Sequence, residues 1–240
     1  MANKKIEMKL YKGDCLEVMK LIPDGSIDAI ITDPPYGTTA CKWDSVIDFD
    51  LMWEQLHRII KLNGAIVLFG SEPFSSALRM SNIKNYKYDW IWQKNRPSLF
   101  QHANKRPMKD HENICLFYKK QPTYNIELKE KTKPTNNYRK NKTGTFLKNG
   151  CKNKKQIQTK TGYPRQIVNY KMHNVGQKHP TQKPVALMEY LIKTYTNEQE
   201  TVLDFTMGSG STGVAAKNLN RNFIGIEQDE KYFKIAEQRI

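Results

Sequence analysis

The sequence predicts an α/β fold, a mostly parallel sheet covered by helices, and two observations carry the prediction. Short apolar runs rich in Ile, Val and Phe alternate with segments of helical period at both ends of the chain. Near the C-terminus a glycine-rich loop lies between one such run and a helix. The run after that helix ends on an acidic residue, which is the βαβ arrangement of nucleotide-binding folds.

Met8–Tyr11 reads as a short strand ending at Gly13-Asp14, and Cys15–Ile22 as a helix with Asp14 at its N-cap. Ile27–Thr32 is an apolar run of buried-strand type. Leu51–Ile60 is helical, with Met52, Leu56 and Ile59/Ile60 on one face, and Asn63-Gly64 is its expected end. Ala65–Phe69 reads as a buried strand, followed by a helix after Pro73 and strands near Tyr88–Trp92 and Asn113–Tyr118. The pattern resumes with a helix over Val185–Thr196 and a strand over Thr201–Asp204. A helix from Ser211 to about Leu219, a strand over Asn222–Ile226 ending at Glu227, and a last helix to Ile240 complete it.

A length of 240 residues suits one α/β domain carrying an insertion, or at most two small domains, and 38% hydrophobic residues can build a sizeable core. The net charge of +15 and pI near 9.5 point to a polyanionic partner. From Lys131 through Met188 there is no Asp or Glu, and Tyr138, Phe146, Tyr163 and Tyr170 are interleaved with cations. Such a stretch suits phosphates and bases, and Lys140, Lys142, Lys154, Lys155 and Arg165 are its candidate contacts. The cysteines Cys15, Cys41, Cys115 and Cys151 form no C-x-x-C pair, and the histidines show no metal spacing, so no metal is expected. The sequence has no signal-peptide pattern and no apolar run of membrane length, so a cytoplasmic location is expected.

Asp33-Pro34-Pro35-Tyr36 follows the strand Ile27–Thr32. Pro34 drives Asp33 toward extended backbone, and each proline removes an N–H donor. The resulting stiff turn exposes a carboxylate, free carbonyls and an aromatic face. It can hold a planar amino group, with acceptors taking the hydrogens and the ring stacking on the π-system.

The loop Phe205-Thr206-Met207-Gly208-Ser209-Gly210-Ser211-Thr212-Gly213 contains G-x-G-x-x-G, so NAD is a competing ligand. Asp204 before the loop would repel a pyrophosphate but suits a cation. S-adenosylmethionine carries a sulfonium and an ammonium, and Asp204 favours it. Glu227 stands where such folds place a carboxylate on ribose hydroxyls.

Together the two constellations resemble the DNA amino-methyltransferases that use S-adenosylmethionine, whose signature is a D-P-P-Y tetrad and an F-x-G-x-G loop. Here these are Asp33-Pro34-Pro35-Tyr36 and Phe205-Thr206-Met207-Gly208-Ser209-Gly210, with the tetrad first, an order similar to the family's permuted β group. His179-Pro180-Thr181-Gln182-Lys183-Pro184 is similar to the family's H-x-T-x-K-P segment beside the methionine end of the cofactor. Gly13-Asp14-Cys15 resembles its acidic motif near the adenine. The chain departs at Asp204-Phe205-Thr206-Met207, where the family often has Asp-Pro-Phe.

The resemblance implies a Rossmann-like methyltransferase fold: a mostly parallel seven-stranded sheet with helices on both faces, permuted motif order and an inserted target-recognition segment. It implies a catalytic part over 1–120, a basic target-recognition insertion over 121–178, and a cofactor-binding part over 179–240. It places methyl transfer to an amine of an extruded base at Asp33, Pro34, Pro35 and Tyr36. It places the cofactor at Asp14, Lys183, Asp204, Phe205, Gly208, Gly210, Thr212 and Glu227, with Glu227 on the ribose. Asp at position 33 resembles adenine-N6 more than cytosine-N4 enzymes, and the expected substrate is adenine in double-stranded DNA. A homodimer and a cognate restriction enzyme are further expected partners.

Several alternatives stay open on the residues alone. Asp14 also reads as a simple N-cap, and Lys183 as a surface cation before a proline. The loop Thr38–Asp44, with Lys42 and Trp43, either closes over the base or is a surface loop anchored by its tryptophan. Trp90, Trp92 and Lys94 follow a strand and read as neighbours of the base pocket, with core packing as the favoured reading of the two tryptophans. Cytosine-N4 and RNA adenine methylation compete within the enzyme class. Asp33 argues against a glutamine-amide methyltransferase, whose tetrads usually begin with Asn. Outside that class stand an inactive DNA-binding shell and a nicotinamide-dependent dehydrogenase, which leaves the tetrad unexplained.

Overall fold

The computed structural model describes residues 5–38, 44–137, 156–172 and 182–240. They divide into two compact units, one of Met1–Asn125 with Gln166–Ile240 and one of Ile126–Arg165.

The larger unit runs β1 (Met8–Lys12), α1 (Cys15–Met19), β2 (Ile27–Thr32), α2 (Phe49–Ile59), β3 (Ile60–Gly70) and α3 (Phe74–Ser81). It continues with β4 (Tyr86–Ser98), a short 3-10 turn (Phe100–His102) and β5 (Lys109–Phe117). After the smaller unit, which carries β6 (Lys129–Asn137) and β7 (Gln156–Thr161), come β8 (Ile167–Asn169), α4 (Val185–Tyr195), β9 (Thr201–Asp204), α5 (Ser211–Asn218), β10 (Asn222–Glu227) and α6 (Glu230–Arg239). The strands form one sheet in the order β1-β10-β9-β2-β3-β5-β4-β8, antiparallel only where β5 meets β3 and β4.

Apolar residues fill both faces of this sheet. Leu187 and Leu191 of α4, Ala215 of α5 and Ala236 of α6 pack on one face with Ala29, Ile31 and Val67. Met19, Met52, Leu56 and Leu78 of α1–α3 pack on the other with Ile30, Ile66 and Leu68. Strands buried on both sides explain why the runs are continuously apolar rather than alternating.

Within the larger unit the structure differs from the sequence expectation in strand number and in the ends of the first two helices. Among the described residues the sheet has eight strands rather than seven, because β8 adds to β4 at the edge. The second helix stops at Ile59, and Asn63-Gly64 lies within β3 instead of ending the helix. A bulge opposite Ile27–Ala29 absorbs these residues, and a Cβ on Gly64 would come within 2.6 Å of the Ile60 side chain. The first helix ends at Met19, three residues early, with Lys20 closing back on Glu17.

The smaller unit pairs β6 (Lys129–Asn137) antiparallel with β7 (Gln156–Thr161). It is narrower than the expected 121–178 segment, because Gln166–Asn169 and the residues after it belong to the larger unit. Its sequence holds twelve Lys and Arg against two Glu, a net +10 of the chain's +15. Among the described residues no helix is long and apolar enough to cross a membrane.

Candidate active site

Parallel strands bring their C-terminal ends to one edge, where α/β sheets hold ligands. Asp14 follows β1, Asp33 follows β2, Asp204 ends β9 and Glu227 ends β10. Antiparallel β5 starts at the same edge, since Asn113 pairs with Gly70 at the end of β3. A cavity of about 930 Å³ opens there, within the size range of small-molecule sites. Its wall includes Asp14, Asp33, Pro34, Pro35, Tyr36, Lys183, Asp204, Phe205, Gly208, Thr212 and Glu227.

The tetrad turn is held from outside, because two prolines leave it few donors of its own. Asp44, which is buried, accepts from the backbone N–H of Tyr36 (2.8 Å) and Gly37 (2.9 Å) with Oδ1 and from that of Thr38 (2.9 Å) with Oδ2. Thr206 Oγ1 donates to the Asp33 carbonyl at 3.0 Å, tying the tetrad to the cofactor loop. The Tyr36 hydroxyl donates to Asp33 Oδ1, and its ring centroid lies 5.0 Å from that of Phe74.

Lys183 closes the other side of Asp33. Its ammonium donates to Asp33 Oδ2 and lies 3.2 Å from Glu112 Oε2, an ionic contact off the hydrogen-bond direction. Lys94 pairs with Glu112 Oε1. Charges thus alternate along Asp33, Lys183, Glu112 and Lys94, with Lys183 only 7% exposed. Burial raises the Asp33 carboxyl above its ordinary range, Lys183 pulls it back, and the Glu112 charge pushes it up again. Burial works against the Lys183 charge, but Asp33 and Glu112 outweigh it and hold the ammonium protonated. Glu112 is buried yet stays ionised, held down by Lys183 and Lys94. Burial and the neighbouring Asp33 push the Tyr36 phenol well above its ordinary value. A carboxylate has about four acceptor positions, and Tyr36 and Lys183 use two of those on Asp33.

Asp204 is a hub beneath the cofactor loop. Oδ1 accepts from Thr32 Oγ1 and from the Thr206 N–H (3.2 Å), and Oδ2 from Thr212 Oγ1 (2.5 Å). Burial raises its pKa to about 6, against the bonds from Thr212, Thr32 and Thr206. Glu227 accepts from the N–H of Gly208 with Oε2 and of Asp229 with Oε1, both at 2.8 Å, and burial raises it as well. Asp14 caps α1, accepting from Leu16 and Glu17, and also lines the cavity.

The wall fits S-adenosylmethionine. Anionic Asp33, Asp204 and Glu227 suit a cation, and the Ser211 hydroxyl at the start of α5 is buried with no partner among the described residues. A polar ligand group at that helix N-terminus would satisfy it. Gly210 does not line the cavity. Its φ of +80° shapes the turn, and a Cβ there would meet Ile240 at 2.8 Å and Ala236 at 3.1 Å, so it faces α6 rather than a ligand.

Trp90 and Trp92 are core residues, though Trp92 also reaches the cavity wall. Arg165 is exposed at the end of the smaller unit. Lys42, Trp43, Lys140, Lys142, Lys154 and Lys155 lie outside the described residues, as do His179, Pro180 and Thr181 of the His179–Pro184 segment. Sequence reasoning missed Glu112, Asp44 and Thr32. A Glu opening an otherwise apolar run, His111-Glu112-Asn113-Ile114-Cys115-Leu116-Phe117, was the available signal for Glu112.

A family model described as DNA methylase, of the N6/N4 methyltransferase type, matches residues 27–238. The chain is 30% identical to the Type II methyltransferase M.HinfI of Haemophilus influenzae over 262 aligned positions, covering 96% of this chain and 67% of the relative. The solved structure of M1.HpyAVI in complex with SAM is 30% identical with a TM-score of 0.64, covering 97% of this chain and all of that one. PvuII DNA methyltransferase, described as cytosine-N4-specific, superposes with a TM-score of 0.70 over 98% of this chain and 86% of its own; at 17% identity that likeness is one of fold. With the tetrad and the glycine loop both lying within the matched span, this chain belongs to the DNA methylase family of N6/N4 amino-methyltransferases.

Proposed function

We propose that this DNA methyltransferase transfers a methyl group from S-adenosylmethionine to the N6 amine of adenine at a specific site in double-stranded DNA. The observation that carries the reading is Asp33, a carboxylate at the first tetrad position, facing the cavity between Tyr36 and Lys183.

When bound, S-adenosylmethionine supplies a methyl group on a sulfonium, a good leaving group that needs no metal. The chain's residues do the rest by positioning. An exocyclic amine is a poor nucleophile because its lone pair is spread into the ring. The Asp33 carboxylate keeps acceptor positions beyond those taken by Tyr36 and Lys183. With the Pro34 carbonyl it draws the amine hydrogens out of the ring plane and localises the lone pair. Tyr36 stacks on the base and offsets part of the few kcal/mol that extrusion costs. Asp33 then takes up the proton that the amine sheds. Asp204 and Glu227 hold the cofactor's cationic end and ribose, and Phe205, Gly208 and Thr212 shape that wall.

The net charge of +10 on the smaller unit supports a nucleic-acid substrate, with Arg165 and the lysines of 140–155 as phosphate contacts. Similarity to a Type II methyltransferase supports a restriction-modification role with a cognate nuclease. A second copy of the chain is a further proposed partner, checked by light scattering with and without DNA. A cytoplasmic location fits such a role.

The test is methylation of plasmid DNA with labelled S-adenosylmethionine, digestion to nucleosides, and single-molecule mapping of the modified site. N6-methyldeoxyadenosine is expected. N4-methyldeoxycytidine would overturn the adenine reading, and label entering structured RNA but not DNA would overturn the substrate class.

A further inference from the structure

The stem of the β4–β5 hairpin forms part of the cavity wall: Trp92, Lys94 and Ser98 on β4 and Glu112 on β5 all line it. The stem closes where Ser98 pairs with Lys109, and its tip, residues 99–108, projects beyond. Phe100 on that tip is 79% exposed, the highest value of any large apolar side chain among the described residues.

The tip is a built structure rather than a slack loop. Leu99 takes a left-handed φ of +68° and starts the 3-10 turn. Backbone bonds from His102 to Leu99 (2.9 Å), Ala103 to Phe100 (3.0 Å), Lys105 to His102 (2.8 Å) and Arg106 to His102 (3.0 Å) follow in succession. Pro97 and Pro107 bracket it and limit its backbone freedom.

Its charge is uniform. Between Lys94 and Lys109 there is no Asp or Glu, while Arg96, Lys105 and Arg106 are exposed around Phe100. Lys109 at the base of the tip is held below its ordinary range by burial and by the cations Lys94 and Arg106, against the pull of Glu112 and Glu72. One exposed aromatic ring set among cations suits a partner that is anionic outside and apolar within. Duplex nucleic acid has that chemistry, with phosphates outside and stacked bases inside.

We propose that residues 99–108 are a DNA wedge, in which Phe100 enters the base stack beside the target and fills the gap left by the extruded base while Arg96, Lys105 and Arg106 grip the flanking phosphates. The inference rests on the reading of duplex DNA as substrate and adds a second contact to it. The target base leaves the stack toward Asp33, and the ring on the tip beyond Ser98 takes its stacking partners.

The test uses the full chain and duplexes carrying the site mapped on the plasmid. One duplex is fully matched, and a second places an abasic position opposite the target, which lowers the cost of extrusion. Phe100→Ala lowers kcat/KM on the matched duplex by about 10- to 100-fold, the value of one lost stack. It recovers most of that loss on the abasic duplex, and Phe100→Leu retains most of the activity on both. With 2-aminopurine at the target position, the fluorescence rise on binding is lost in Phe100→Ala. Arg106→Ala weakens binding on every sequence and lowers the salt slope by about one. Unchanged kcat/KM on the matched duplex, an equal loss on both duplexes, or a change in oligomeric state in its place would overturn the wedge. Wild-type protein that methylates no DNA at all would instead overturn the substrate reading beneath it.

Discussion

Lys183 and Asp33 form a buried ion pair across 150 positions of sequence, the ammonium from the residues before α4 and the carboxylate from the end of β2. The pair is shared, because the same ammonium also lies 3.2 Å from Glu112. Lys183 therefore stands between two carboxylates that burial would otherwise protonate.

Lys183→Met leaves Asp33 and Glu112 buried without their common cation. Breaking a buried pair from one side costs about 3–5 kcal/mol. The variant is expected to melt well below wild type at pH 8, with the gap narrowing toward pH 5 as the carboxylates take up protons. Methyl transfer should fall by about 100-fold or more, since Asp33 is no longer held in place. Thermal melts at both pH values check the first expectation and single-turnover kinetics the second. A melt gap of equal size at both pH values would show that the charge is not what the variant lost.

Glu112→Gln removes the anion that pushes Asp33 upward. The groups facing Asp33 are then Tyr36, Lys183 and, further off, Asp204. The sign follows directly: Asp33 ionises at lower pH, so the acid limb of kcat/KM moves to lower pH. The same variant leaves Lys94 without its buried partner and is expected to lose some stability. The pH profile separates the two effects, because loss of stability alone lowers activity without moving the limb.

Tyr36 has two separable parts. Tyr36→Phe keeps the ring that packs near Phe74 and removes the hydroxyl that donates to Asp33. Its expected effect is a lower kcat at an unchanged KM for DNA. Tyr36→Ala also removes the stacking face, worth about 1–3 kcal/mol, and is expected to raise KM as well. Equal kinetics for the two variants would remove stacking from the role of Tyr36.

The parts of the site legible in the sequence are those whose meaning is local. The apolar runs before Asp33 and Asp204 state two strands, and the residues after them state two loops at their ends. Glu227 is legible because a βαβ unit fixes its distance from the glycines. Glu112 is not, since it reaches the site only because β5 runs antiparallel and starts at the edge where β3 ends. Asp44 is hidden for a related reason: its value lies in three backbone N–H groups that the tetrad turn leaves unpaired. Gly210 shows the converse, a motif residue that shapes a turn against α6 and touches no cavity. The eighth strand was invisible because Ile167–Asn169 is three residues long and lies in a polar stretch.

Asp204 sets a pH dependence with a definite sign. Its carboxyl has a folded pKa of about 6 against an ordinary 3.8, with burial as the main cause. Between these values the folded protein holds a proton that the unfolded chain releases. The contribution of Asp204 to stability is therefore full below about pH 4, declines as pH rises to about 6, and is level above. The total is about 3 kcal/mol, reduced by whatever structure the unfolded chain retains. Asp204→Asn removes the titration, so the difference between its melting curve and that of wild type should grow between pH 4 and pH 6 and then stay constant. Burial also raises Asp33 and Glu227; taking the difference cancels the contribution of Glu227 and leaves only the weaker coupling between Asp204 and Asp33. Affinity for the cationic cofactor runs the opposite way. The ionised carboxylate attracts the cation, so wild-type affinity rises with pH through about 6 and then flattens, while Asp204→Asn binds weakly with a shallower pH dependence. Calorimetric titration of S-adenosylmethionine into both proteins across this range decides the point. A variant with wild-type affinity and the wild-type pH profile would show that the charge of Asp204 serves the loop through Thr32, Thr206 and Thr212 alone.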